Sequence, residues 1–196
     1  MNLSFKSLAM KKIIFLITSF LFALVAFSQS ISVKLPDTLS KKPVDGRLLL
    51  VFSTKFSGEP RDQISDAPGT QQIFGVDVEN WQPGTTKTIS LNAFGYPIEK
   101  ISDIPAGYYN MQAVFHIYET FHRKDGHIVK LPMDRGEGQH WNLAPGNFYS
   151  VPVKINFNPK TRILHNVVLT KTILPIKEPE DTKYIGLPQN SVSSLL

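Results

Sequence analysis

The densest set of chemically capable side chains in this sequence is the stretch K-L-P-M-D-R-G-E-G-Q-H-W, which brings Asp134, Arg135, Glu137, His140 and Trp141 within eight residues. Asp134, Glu137 and His140 are ligand types for calcium or a transition metal, and the intervening glycines permit a tight path around an ion. Their spacing matches neither an EF-hand nor H-E-x-x-H. The ordinary alternative is structural: Asp134 pairs with Arg135 or caps a turn, and Trp141 pins the loop to the body of the protein. If a surface acts directly on a ligand, it is expected on the Thr120 to Asn147 segment, with Arg135, Glu137, His140 and Trp141 as contacts. No metal or cofactor is expected.

Other chemistry is thinner. A serine hydrolase of the α/β type needs G-x-S-x-G at the end of a parallel strand, and that string is absent. His116, His122 and His127 flank a hairpin-like region, and alternation puts His116 on the same strand face as Tyr118. H-R-K-D-G-H crowds titratable groups at a turn that Asp125-Gly126 supplies. The rings of Tyr108, Tyr109, Phe115, Tyr118, Phe121, Trp141, Phe148 and Tyr149 include material for a sugar-stacking platform, because a flat ring excludes water from an apolar sugar face. Half of them are expected in the core.

The elements that must hold these residues are strands. Apolar residues recur in short runs divided by Gly, Pro, Asp and Asn, and no run keeps a 3.6-residue period for three turns. Seven strands are predicted, at residues 31–35, 46–53, 71–78, 87–92, 107–118, 148–155 and 163–170. They suit an all-β, two-layer β-sandwich, immunoglobulin-like or related. In Y-Y-N-M-Q-A-V-F-H-I-Y, the residues Tyr109, Met111, Ala113, Phe115 and Ile117 form a core face. Asn110, Gln112, Val114, His116 and Tyr118 form the other, facing solvent or a partner segment. Both faces of 46–53 are mostly apolar, which predicts a central strand. Pro152 predicts an edge or a bulge. Asp45-Gly46, Pro83-Gly84, Pro105-Ala106-Gly107, Asp125-Gly126 and Pro145-Gly146 read as turns. The segments 55–70 and 119–147 are too long for hairpin turns.

The chain has 196 residues, 42% of them hydrophobic, which is enough for one core and excludes an intrinsically disordered protein. Of 21 Lys and Arg, three precede Ser28, where there is no acid, leaving 18 cations against 16 acids from Gln29 onward. That near balance excludes a nucleic-acid binder. The absence of cysteine removes disulfides, thiol catalysis and a lipoprotein anchor. Lys11 and Lys12 precede an apolar run from Ile13 to Phe27 and then A-F-S-Q, the order of a secretory signal peptide. The run is short of the roughly 20 residues of a membrane span. The expected organisation is a signal peptide over 1–28, a β-sandwich domain over 29–172 and a polar linker or truncated tail over 173–196. The product is exported to the periplasm or outside the cell, with no stable membrane insertion after cleavage.

The strings G-T-Q-Q-I-F-G-V-D-V, F-G-Y-P-I, I-P-A-G-Y-Y-N-M-Q-A-V, Y-E-T-F-H-R-K-D-G-H and L-P-M-D-R-G-E-G-Q-H-W-N-L-A-P-G-N-F-Y-S, followed by E-P-E-D-T-K-Y, resemble the N-terminal β-rich region of large secreted bacterial esterase-like proteins. The resemblance runs from about Gly46 through Tyr184. It implies that an α/β-hydrolase domain, carrying any catalytic serine, acid and histidine, works beside this region, and none of those positions maps onto this chain. After the linker this sequence reads I-G-L-P-Q-N-S-V-S-S-L-L where such proteins continue, so a truncated gene product, a frameshift or a stand-alone copy of the accessory domain is expected. The resulting expectation is a non-catalytic accessory domain that positions substrate or supports an esterase-like catalytic domain. The alternative is a stand-alone carbohydrate or cell-surface binding β-sandwich.

Overall fold

The computed structural model describes residues 30–135, 137–161 and 164–175. The expected signal peptide, the start at Gln29 and the tail beyond residue 175 lie outside the described residues. The run beginning Y-Y-N-M-Q becomes a 16-residue strand, β6 (Gly107–His122), and the sheet is built around it. Chain order gives β1 (Ser30–Lys34), β2 (Val44–Ser53), β3 (Gln72–Trp81), β4 (Thr86–Ser90), β5 (Gly95–Tyr96), then β6, β7 (Ile128–Leu131), β8 (Phe148–Ser150), β9 (Val153–Phe157) and β10 (His165–Thr172). Hydrogen bonds join all ten in one curled, mixed sheet of order β4-β1-β10-β8-β6-β2-β3-β5, with β7 and β9 also paired to β6. Among the described residues there is no α-helix, and no helix is long and apolar enough to cross a membrane.

Strands are found at all seven expected positions, but the count of seven is too low. Three additions account for the difference. β5 is a two-residue pairing against β3. β7 arises because β6 runs on past Tyr118 into a hairpin closed at Asp125-Gly126, so the first part of the expected long loop is sheet. The third is a break at Val151-Pro152, where β8 and β9 pair with β6 in registers that differ by one residue. Proline has no N–H for the ladder, so the strand bulges there. The Ser150 hydroxyl accepts the Ala113 N–H at 3.0 Å within the same stretch.

β10 unites the sheet. Its first half pairs in parallel with β1, and its second half pairs antiparallel with β8 from Leu169 onward, with a register shift between Leu169 and Lys171. The curl lets side chains from β1, β4 and β10 share one apolar cluster with those of β2, β3 and β6. Ile31, Val33, Leu48, Leu50, Phe52, Phe74, Trp81, Ile89, Met111, Phe115 and Leu169 are all buried in it. Phe52 meets Phe74, Tyr109 and Phe157 edge-on, and Trp81 meets Phe115 in the same way. Edge-to-face contact suits the ring quadrupole and fills space without voids. Of the expected core face of β6, Tyr109, Met111, Ala113 and Phe115 are buried and Ile117 is half-buried against the core, and β2 lies centrally between β3 and β6.

On the other face of β6 the second of the two expected alternatives, a partner segment, holds over the middle of the strand. Asn110, Gln112 and Val114 are buried, because the segment 55–70 folds back through a short 3₁₀ turn, Pro60–Gln63, that packs on β2 and β6. Asp45-Gly46 also departs from expectation, lying inside β2 and not in a turn. Gly46 is there because of close approach: a Cβ on it would stand 2.1 Å from the His116 carbonyl oxygen. Gly46→Ala is expected to destabilise the protein by about 2–4 kcal/mol in urea unfolding. Gly107→Ala, where the nearest atom to a Cβ is 3.6 Å away, is expected to cost far less; equal costs would show that the approach at Gly46 is not limiting.

Candidate functional site

The loop after β7 is held by its own charges. Arg135 pairs with Glu119 of β6 and reaches the Pro145 carbonyl at 3.3 Å. Glu137 is buried, and its carboxylate accepts the Arg135 backbone N–H at 2.8 Å. Asp134 accepts the Gly138 N–H at 3.3 Å, capping the turn. His140 is exposed, whereas Trp141 is half-buried with its carbonyl accepting from Asn147 Nδ2 at 2.8 Å. Arg135 and Glu137 thus come together at the loop's inner edge, beside a small pocket of about 90 Å³ that Arg135 shares with His116 and Glu119. His140 joins no group of metal ligands: among the described residues no three His, Asp or Glu side chains are gathered so as to hold an ion.

The expected aromatic set disperses. Tyr109, Phe115 and Phe148 enter the core, and Tyr149 lies under the Arg61 guanidinium, 4.4 Å from the ring centre, with Lys171 at 5.7 Å. Tyr108 stands 71% exposed at the start of β6. Near the far end of the strand Tyr118 is half-buried, with the His116 ring set edge-on to it at 5.6 Å. His122 and His127 are exposed, and the His127 Nδ1 lies 3.2 Å from the Asp125 carboxylate at the hairpin tip.

Tyr118 opens onto a cleft of about 470 Å³ lined by Asp45, Arg47, Asp77, Glu79 and Lys130, with Ile128 at its side. Sequence reasoning did not single out these charged residues. Four elements bring them together. Asp45 and Arg47 alternate with core residues on β2, and register sets Arg47 opposite Asp77 of β3 on one side and His116 of β6 on the other. Gly75, one row along, leaves room for the Arg47 side chain, since a Cβ there would fall 2.6 Å from its Nε. At the start of β2 a register shift against β3 coincides with Asn80 in the left-handed region (φ 49°), which asparagine tolerates better than most residues. The Asn80 N–H then donates to Asp45 at 2.7 Å. The β6–β7 hairpin delivers Lys130.

The charges of the cleft are satisfied by one another. Arg47 pairs with Asp77 at 2.8 Å, and the Lys130 ammonium lies 3.2 Å from Asp45 and 3.0 Å from Glu79. The Asn80 N–H, opposed by burial and aided by Lys130, holds the Asp45 carboxyl below the usual range. The hydrogen bond to Glu79, partly offset by desolvation and reinforced by Asp45, holds Lys130 above its ordinary value. Burial and the nearby Asp77 charge push the Tyr118 hydroxyl up, against the pull of Arg47. Such a site keeps fixed donors and acceptors at neutral pH beside one ring, which is the chemistry of recognition and orientation.

His116 is pushed below the ordinary histidine pKa by burial, with Glu137 opposing, and His165 is pushed down by burial as well. The folded state therefore binds fewer protons than the unfolded one. The stability tied to these neutral rings is complete above about pH 6.5 and is lost as pH falls from there through the depressed folded values. The melting temperature is expected to drop across that window, and His116→Gln with His165→Gln is expected to flatten the drop; an unchanged slope in the double variant would contradict the assignment. Compared with family models, curated proteins and solved structures, the chain matches none.

Proposed function

We propose that this chain is an exported, non-catalytic accessory domain that positions substrate for an esterase-like catalytic domain, with the charged cleft beside Tyr118 as its working surface. The curled sheet is read in this proposal as an immunoglobulin-like or related sandwich. One observation carries the reading. The cleft of about 470 Å³ beside Tyr118 is walled by side chains already committed to ion pairs, Arg47 with Asp77 and Lys130 with Asp45 and Glu79. Groups bound in this way hold their positions, and little ordering remains to be done when a ligand arrives. A base or nucleophile needs a free valence, whereas a positioning surface gains from having none. The exposed carboxylates of Asp77 and Glu79 leave the cleft open to a ligand held by a neighbouring domain.

The reading predicts two results. Affinity capture from the cell envelope of the native host with the tagged chain is expected to recover a G-x-S-x-G hydrolase together with p-nitrophenyl ester turnover, while the homogeneous chain alone turns over none. Efficient ester cleavage by the purified chain would overturn the non-catalytic half, and capture free of esterase activity would overturn the accessory half.

A further inference from the structure

We propose that the cleft between β2, β3 and the β6–β7 hairpin binds a neutral carbohydrate, whose vicinal hydroxyls engage the Arg47–Asp77 and Lys130–Glu79 pairs while an apolar ring face lies against Tyr118. The inference rests on the accessory reading only in taking the same cleft as the contact surface, and it adds the class of ligand. The volume of about 470 Å³ falls within the roughly 300–1,000 Å³ of small-molecule sites and suits a short oligosaccharide.

The pairing of the charges selects among ligand classes. Three carboxylates face two cations, and each cation already holds a carboxylate. A phosphate or carboxylate ligand would have to displace an internal partner and would meet a net negative wall. A cationic peptide would use the carboxylates alone and would compete with Arg47 and Lys130 for them. A hydroxyl group both donates and accepts, so one hydroxyl can donate to the carboxylate of a pair and its neighbour can accept from the cation, with the pair intact. The exposed members are on the rim where such contacts form: the Asp77 side chain is 68% exposed and that of Glu79 is 74% exposed. Tyr118, packed T-shaped with His116, lines the cleft as its aromatic group, and Ile128 supplies an apolar wall from the hairpin. A polar lining with one ring and one aliphatic side chain matches the two-sided character of a sugar, hydroxyls at its perimeter and C–H groups on its face.

The test uses the full chain against immobilised neutral xylo-, manno-, gluco- and galacto-oligosaccharides, followed by calorimetry with any that is retained. At least one is expected to bind with little dependence on salt, since no net charge is neutralised. Tyr118→Ala and Asp77→Asn are each expected to weaken binding by about tenfold or more. Tyr108→Ala, at the opposite end of β6, is expected to leave it unchanged. Should Tyr118→Ala melt, Asp77→Asn on the exposed rim carries the test alone. Retention of no oligosaccharide, or equal binding by Asp77→Asn, would overturn the proposal, as would preferential, salt-sensitive binding of an oligolysine peptide. Recovery of an esterase by capture without glycan retention would remove the carbohydrate and keep the accessory reading; glycan retention without esterase would do the reverse.

Discussion

Gln112 sits in the middle of the longest strand with no exposure to solvent, and the arrangement of the outer face follows from satisfying its amide. A buried amide left without partners costs several kcal/mol, so partners have to come to it. Its oxygen accepts the Arg61 N–H at 3.0 Å, and its nitrogen donates to the Ser150 carbonyl at 2.8 Å and to Glu59 at 3.1 Å. One side chain thus binds the segment after β2 and the strand bordering the bulge. Burial opposes the charge of Glu59, but the hydrogen bonds from Arg61 and Gln112 hold its carboxyl below the usual range. Arg61 extends the same network to the Asn142 carbonyl while its guanidinium covers Tyr149, so the two long loops close over β2 and β6 as a unit.

That closure divides the outer face into two chemical regions. Around Gln112 it is dry, and the polar groups there are consumed by one another. Towards the cleft the outward residues of β2 and β3, Asp45, Arg47, Asp77 and Glu79, are charged. The ion pairs of the cleft are at least partly solvated, so they add little to stability individually. Their value lies in geometry. Cross-strand register fixes Arg47 beside Asp77, and the hairpin fixes Lys130 between two carboxylates, one of which also caps the kink at Asn80. The bulged end of β2 and β3, an irregularity in the ladder, is what turns Asp45 toward the hairpin.

The β character, the strand positions and the inward face of β6 were legible because alternation reports burial directly: Met111, Ala113 and Phe115 can share a face only in a strand. Pro152 was legible as an interruption because proline lacks the donor a ladder requires. Asp45-Gly46 misled, since a pair common in turns is here a strand residue followed by a glycine that makes room for a neighbouring carbonyl. The loop with Arg135, Glu137, His140 and Trp141 drew attention through density along the chain, yet Glu137 turns inward to its own backbone and His140 outward to solvent.

The sequence by itself determined what each strand buries and where the chain must turn, because those depend on alternation and on backbone preferences that act within a few residues. Only the tertiary structure decided which charges meet. Asp45, Arg47, Asp77, Glu79 and Lys130 are drawn from three strands separated by up to scores of residues, and their contact depends on cross-strand register, a bulge and the path of a hairpin. A shift of one residue in that register would turn Arg47 into the core and dissolve the cleft, and no local pattern encodes the difference.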